Sequence, residues 1–148
     1  MQLSKRVQSM QFSPIRRFNV YANEAAEHGV KVYRLNIGQP DIKTPECFIE
    51  AIRNYNNTVI AYSESQGTSE LHDAMIDYFN MYDMKYDRDN IIITTGGSEA
   101  LNMIFTAILN AGDEVLMPEP FYTNYHTFIT SAGGKVVPVT TVAEEGYH

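Results

Sequence analysis

The residues with the clearest chemical potential lie at Gly96-Gly97-Ser98-Glu99. Before them runs Ile91-Ile92-Ile93-Thr94-Thr95, a β-branched stretch that reads as a buried strand. After them Ala100, Leu101, Ile104, Phe105, Ile108 and Leu109 recur at helical spacing. A strand that turns on glycine into a helix leaves backbone N–H groups unpaired at the helix start. Those donors and the positive end of the helix dipole suit an anion, phosphate above all. The spacing therefore predicts a phosphate cup at Gly97, Ser98 and Glu99, although the same grammar also describes an ordinary strand–turn–helix junction. The dinucleotide pattern Gly-x-Gly-x-x-Gly does not fit here, and the Gly-Lys-Ser/Thr of the nucleotide P-loop occurs nowhere in the chain.

Three further segments bear on this cup. Leu35-Asn36-Ile37-Gly38-Gln39-Pro40-Asp41-Ile42-Lys43-Thr44-Pro45-Glu46 precedes a helical pattern, and Tyr62-Ser63-Glu64-Ser65-Gln66-Gly67-Thr68-Ser69-Glu70-Leu71 precedes another. Ala111-Gly112-Asp113-Glu114-Val115-Leu116-Met117-Pro118-Glu119-Pro120-Phe121-Tyr122 follows the helix of the cup. In this order and at these separations the four motifs resemble the N-terminal part of class I/II aminotransferases of the aspartate aminotransferase type. Those are pyridoxal 5'-phosphate enzymes of fold type I. The resemblance runs from about Ser13 to Tyr147.

What the resemblance implies is specific. Gly97, Ser98 and Glu99 would hold the cofactor phosphate through backbone N–H groups, with Glu99 pointing away and contributing only its backbone. Tyr122 matches the aromatic ring that stacks on the pyridine, where the family often has Trp. Gly38 matches a glycine whose N–H meets the substrate carboxylate, in a loop that closes over the substrate. Tyr62 matches a tyrosine that reaches across a dimer interface to the partner's cofactor phosphate. Lys5, Arg6, Arg16 and Arg17 fall in an N-terminal arm that wraps the partner subunit, so the implied state is a homodimer joined by that arm and the Tyr62 region. The resemblance also implies a residue this chain does not supply. The family's Schiff-base lysine stands in a Ser-x-x-Lys setting far downstream, and none of Lys5, Lys31, Lys43, Lys85 and Lys135 has that context. No catalytic residue is therefore assigned, and the chain reads as an inactive N-terminal piece of a longer transaminase. The competing reading is a non-catalytic truncated α/β domain that binds phosphate or other chains.

Composition narrows the classes. A chain of 148 residues with 44% hydrophobic and 20% charged residues suits one globular core, and a net charge of -7 disfavours nucleic acid and anionic membranes. No apolar run approaches a membrane-spanning length, and no apolar stretch follows the basic N-terminus as in a secretory signal. Cys47 is the one cysteine and reads as a buried thiol in an amphipathic helix, consistent with a cytoplasmic protein. His28, His72, His126 and His148 show no metal-ligand spacing.

The elements that must position these residues follow from periodicity. Ser13-Pro14 starts a helix that Gly29 stops, and residues 30–37 read as a strand. Helices are expected over residues 44–55, from Leu71 to Tyr82 with its aromatics in the core, over 98–110 and over 121–131. Strands are expected at 91–95, 114–117 and 135–139. That alternation predicts parallel strands with the ligand crevice outside their carboxyl ends. The expected fold class is α/β, a piece of a fold type I transferase. Residues 1–45 form the arm and small-domain part, and 46–148 begin a mostly parallel α/β/α large domain that binds the cofactor.

Overall fold

The computed structural model describes residues 2–10 and 13–148. Met1, Gln11 and Phe12, which fall in the expected arm, lie outside the described residues. The chain forms two compact units, one of Met1–Asn36 with Thr95–His148 and one of Ile37–Thr94.

In the first unit, α1 (Lys5–Gln8) is capped by the Ser4 hydroxyl, and α2 (Pro14–Arg17) and α3 (Asn19–Glu27) follow. The helix expected between Ser13 and Gly29 thus divides at Phe18, after which Ala22 N–H bonds the Phe18 carbonyl and the ladder resumes. Its end is as the glycine predicts. Gly29 has φ +79°, its N–H bonds Ala26 O, and Val30 N–H bonds Ala25 O, which together close the last turn. The strand expected over residues 30–37 does not form. Arg34 donates to Asn23 Oδ1 at 2.6 Å and Asn36 donates to Ile15 O at 3.0 Å, so side chains tie this segment back to α2 and α3.

The same unit holds α6 (Gly97–Ile108), β1 (Glu114–Pro118), α7 (Asn124–Ser131) and β2 (Lys135–Val139). The two strands pair in parallel, with Glu114 opposite Lys135 and Pro118 opposite Val139. Pro138 has no N–H to give to a ladder, which suits a strand with a partner on one side. Ile129 of α7 is fully buried, and Gly134 packs against it. A Cβ on Gly134 would come within 2.8 Å of Leu109 Cδ1 and 3.1 Å of Ile129 Cγ2.

In the second unit, α4 (Glu46–Arg53) carries the ion pair Arg53–Glu46 at 3.1 Å, and α5 (Ser69–Asn80) leads to a 3₁₀ turn at Arg88–Asn90. Three expectations are corrected here. Cys47 is exposed rather than buried, because nothing in the described residues covers that face of α4. The aromatics of α5 touch one another (Tyr78–Tyr82 5.1 Å, Phe79–Tyr86 5.1 Å between centroids), yet Tyr78 and Tyr82 remain more than half exposed. Ile91 is extended, but Ile91 to Ile93 belong to no strand; Ile93 N–H is taken by Gln66 O at 2.7 Å. The only sheet among the described residues is the β1–β2 pair, two parallel strands where three were expected.

Candidate functional site

The glycine turn enters α6 through Gly96, which has φ +79° and ψ 167°, a conformation that glycine adopts without strain. Gly97, Ser98 and Glu99 are the first three helical residues, so their N–H groups have no acceptor one turn earlier in the helix. All three are exposed, and a Cβ built on Gly97 meets nothing within 4 Å. The fold itself therefore leaves room for a side chain at 97, and an anion could approach the donors there. Glu99 does more than the sequence suggests. Its carboxylate turns back and accepts the Thr95 N–H at 2.5 Å, so the side chain, not the backbone alone, shapes the turn. The donor lies one residue before the N-cap Gly96, so the bond ties the acidic group to the backbone just ahead of the helix.

Tyr122 follows the carboxyl end of β1 in the same unit, after a cis peptide between Glu119 and Pro120. It is half exposed. Its hydroxyl accepts from Asn124 Nδ2 at 2.7 Å, and its ring meets Tyr125 edge-on at 5.6 Å. The hydroxyl and the ring are thus each met by a neighbouring side chain. Asn124 went unnoticed in the sequence, where nothing but its position two residues on marks it. Helix α7 begins at Asn124 rather than at Phe121, and Tyr125 N–H bonds Tyr122 O at 2.9 Å.

Gly38 and Tyr62 belong to the other unit. Gln39 N–H bonds Ile37 O at 2.8 Å, which makes a γ-turn centred on Gly38, and a Cβ there would meet nothing within 4 Å. Neither turn geometry nor packing within the chain demands the glycine. Tyr62 is fully exposed, in an irregular segment before α5. In that unit His72 is buried with Nε2 2.9 Å from Gln66 O, and Arg88 grips Asp73 through contacts of 2.6 and 2.7 Å. The Arg88 guanidinium is held above its ordinary pKa, first by the hydrogen bond to Asp73 and then by that carboxylate's charge.

Of the residues expected to form the site, the first unit carries Gly97, Ser98, Glu99 and Tyr122, and the second carries Gly38 and Tyr62. The arm residue Arg6 donates to Ser131 O at 3.0 Å, a cation on the last turn of α7 in its own chain.

Comparison with known proteins identifies the family of the chain. Residues 30–148 match the aminotransferase class I and II family. The aspartate/prephenate aminotransferase of Thermus thermophilus is 37% identical over 147 residues, which is 98% of this chain and 38% of that protein. A probable N-acetyl-LL-diaminopimelate aminotransferase of Bacillus subtilis is 38% identical over 144 residues, 95% of this chain and 36% of that protein. Among solved structures, a double mutant of Thermus thermophilus aspartate aminotransferase superposes with a TM-score of 0.90 at 37% identity, covering 99% of this chain and 39% of that one. The chain therefore spans well under half the length of the relatives it matches.

Proposed function

Because this chain belongs to the class I and II aminotransferase family, with the fold type I architecture, we propose that the protein carrying it moves an amino group between an amino acid and a 2-oxo acid with pyridoxal 5'-phosphate. The observation that carries the reading is the glycine turn into α6. It presents consecutive backbone donors at a helix N-terminus, with open space at Gly97. Such a cofactor would supply an electron sink for the bond broken at the substrate's α-carbon. The residues of this chain have the task of holding and orienting it. Gly97, Ser98 and Glu99 donate their N–H groups to the phosphate, while the Glu99 carboxylate stays on Thr95 N–H. Tyr122 offers a flat face to the ring, and Asn124 and Tyr125 keep that face from turning. The Gly38 turn offers an N–H to the substrate carboxylate without a side chain in the way.

The further parts of the reading rest on likeness to the family. Residues 1–45 act as arm and small-domain part, and 46–148 as the start of the cofactor-binding domain. The protein works as a homodimer in which the arm and the Tyr62 region meet the partner, and it resides in the cytoplasm. No helix of the described residues is long and apolar enough to cross a membrane. The lysine that holds the cofactor covalently is none of the five in this chain. Transfer of ¹⁵N from a panel of labelled amino acids to 2-oxo acids, assayed on the complete protein with added pyridoxal 5'-phosphate, tests the proposal. Transfer from at least one donor is expected, and none from any donor would refute it.

A further inference from the structure

One backbone carbonyl of the second unit is held from two sides. Gln66 O accepts the Ile93 N–H at 2.7 Å and lies 2.9 Å from His72 Nε2. A carbonyl only accepts, so Nε2 is the ring nitrogen that carries the hydrogen. Among the described residues His72 is the buried polar side chain, 3% exposed, although its neighbours Leu71 and Asp73 on α5 are exposed. A buried imidazole is costly unless its polar atoms are bonded, which gives the contact with Gln66 its energetic weight. Gly67 closes the clamp from the next position. Its φ is +114°, and a Cβ there would fall 2.3 Å from Ile93 Cγ1 and 3.4 Å from His72 Nε2. Helix α5 is fixed beside His72 in turn: Arg88 holds Asp73 at 2.6 and 2.7 Å and donates to Ser69 Oγ at 3.4 Å. The segment that leads into this clamp is different in kind. Residues 59–66 are exposed and belong to no helix or strand, and Tyr62 lies in their midst, four residues before the clamped carbonyl.

We infer that His72 is a positioning residue for Tyr62: through the Gln66 carbonyl it anchors the segment that presents the tyrosine. The inference rests on the amino-transfer reading for what Tyr62 touches, the partner's cofactor phosphate, and on the geometry alone for the clamp. A hydroxyl on an irregular, exposed segment must be ordered when it binds, and that ordering costs free energy. An anchor four residues away lowers the cost before the phosphate arrives. His72 touches neither cofactor nor substrate and acts through Gln66. Loss of its imidazole removes one of the two bonds to Gln66 O and lets residues 66–67 lift away from Ile93.

The test is a double-mutant comparison on the complete protein carrying this chain. Pyridoxal 5'-phosphate affinity is measured by absorbance for the unaltered protein, His72→Leu, His72→Gln, Tyr62→Phe and the double variant His72→Leu with Tyr62→Phe. Hydrogen–deuterium exchange of the peptides containing Gly67 and Ile93 is followed in the cofactor-free protein. His72→Leu is expected to speed that exchange and to weaken cofactor binding, each by about fivefold to tenfold, the worth of one hydrogen bond. His72→Gln keeps an amide donor and restores most of both. On the Tyr62→Phe background the further loss of affinity is less than about twofold, because residues that act through one contact do not add. Equal losses from His72→Leu with and without the Tyr62 hydroxyl would overturn the inference, as would unchanged exchange. If His72→Leu does not fold, Gly67→Ala carries the same comparison, since its Cβ pushes residues 66–67 off Ile93 with His72 intact. A protein that binds no pyridoxal 5'-phosphate in any form, yet exchanges faster in His72→Leu, contradicts the amino-transfer reading and leaves His72 as the anchor of the segment.

Discussion

Gly97 separates fold from function at a single position. Its φ lies outside the left-handed region and a Cβ there meets nothing, so the fold tolerates a side chain. An anion seated on the α6 donors would not. Gly97→Val in the complete protein is therefore expected to weaken pyridoxal 5'-phosphate binding by on the order of a hundredfold, through crowding of the charge-assisted donor bonds. Ser63→Val, in the exposed segment beside Tyr62, should change it less than about threefold. Equal affinities in the two variants, both folded, would reduce the cup to a plain turn. Gly96 gives no such separation, because its φ of +79° makes any side chain strained. Much of this was legible in the sequence, since the glycines and the apolar period place the helix start within a residue. The role of the Glu99 side chain was not. Residue type says that a carboxylate suits a helix N-terminus but not which donor it finds, and here that donor is Thr95 N–H.

The elements show the same division. Helices α5 and α6 and strands β1 and β2 follow their apolar periods closely, because each can be read from its own residues. The segments 30–37 and 91–95 carry strand-like residues and form no strand among the described residues, because a strand exists only with a partner to share its hydrogen bonds. Periodicity likewise marks the apolar face of α4 and α5 but not whether anything covers it; Phe48, Ile52, Tyr78 and Tyr82 stay exposed. Where packing is tight, the consequence is measurable. Gly134 lies against Leu109 and Ile129 at the start of β2, and a larger residue must displace both. Gly134→Val is expected to destabilise the protein by about 1–3 kcal/mol, the usual cost of overpacking, read from the midpoint of denaturant unfolding. A variant as stable as the parent would show that this core is looser than its distances indicate.

At the scale of the whole molecule, the chain exposes 12843 Å², against about 7,700 Å² for a folded monomer of its mass by the usual area scaling. Among the described residues, Ile91 and Ile129 are the buried hydrophobic side chains, while Leu35, Ile42, Ile60 and Tyr62 are almost entirely exposed. Apolar surface on this scale suits a chain that spans 38% of its Thermus thermophilus relative and shares its fold. The family, the parallel pair and uncovered apolar surface were legible in the sequence, but which residues stay exposed was not, since hydrophobic content counts residues and takes no account of what lies against them. The account's central claim is that the α6 turn and Tyr122 hold a cofactor whose covalent anchor is a lysine of the same protein. Borohydride reduction of the complete protein with pyridoxal 5'-phosphate, followed by peptide mass mapping, tests it most directly. The result predicted is a single modified lysine other than Lys5, Lys31, Lys43, Lys85 and Lys135, lost when Gly97→Val weakens binding. No modified lysine, or modification spread over the lysines of this chain, would contradict it.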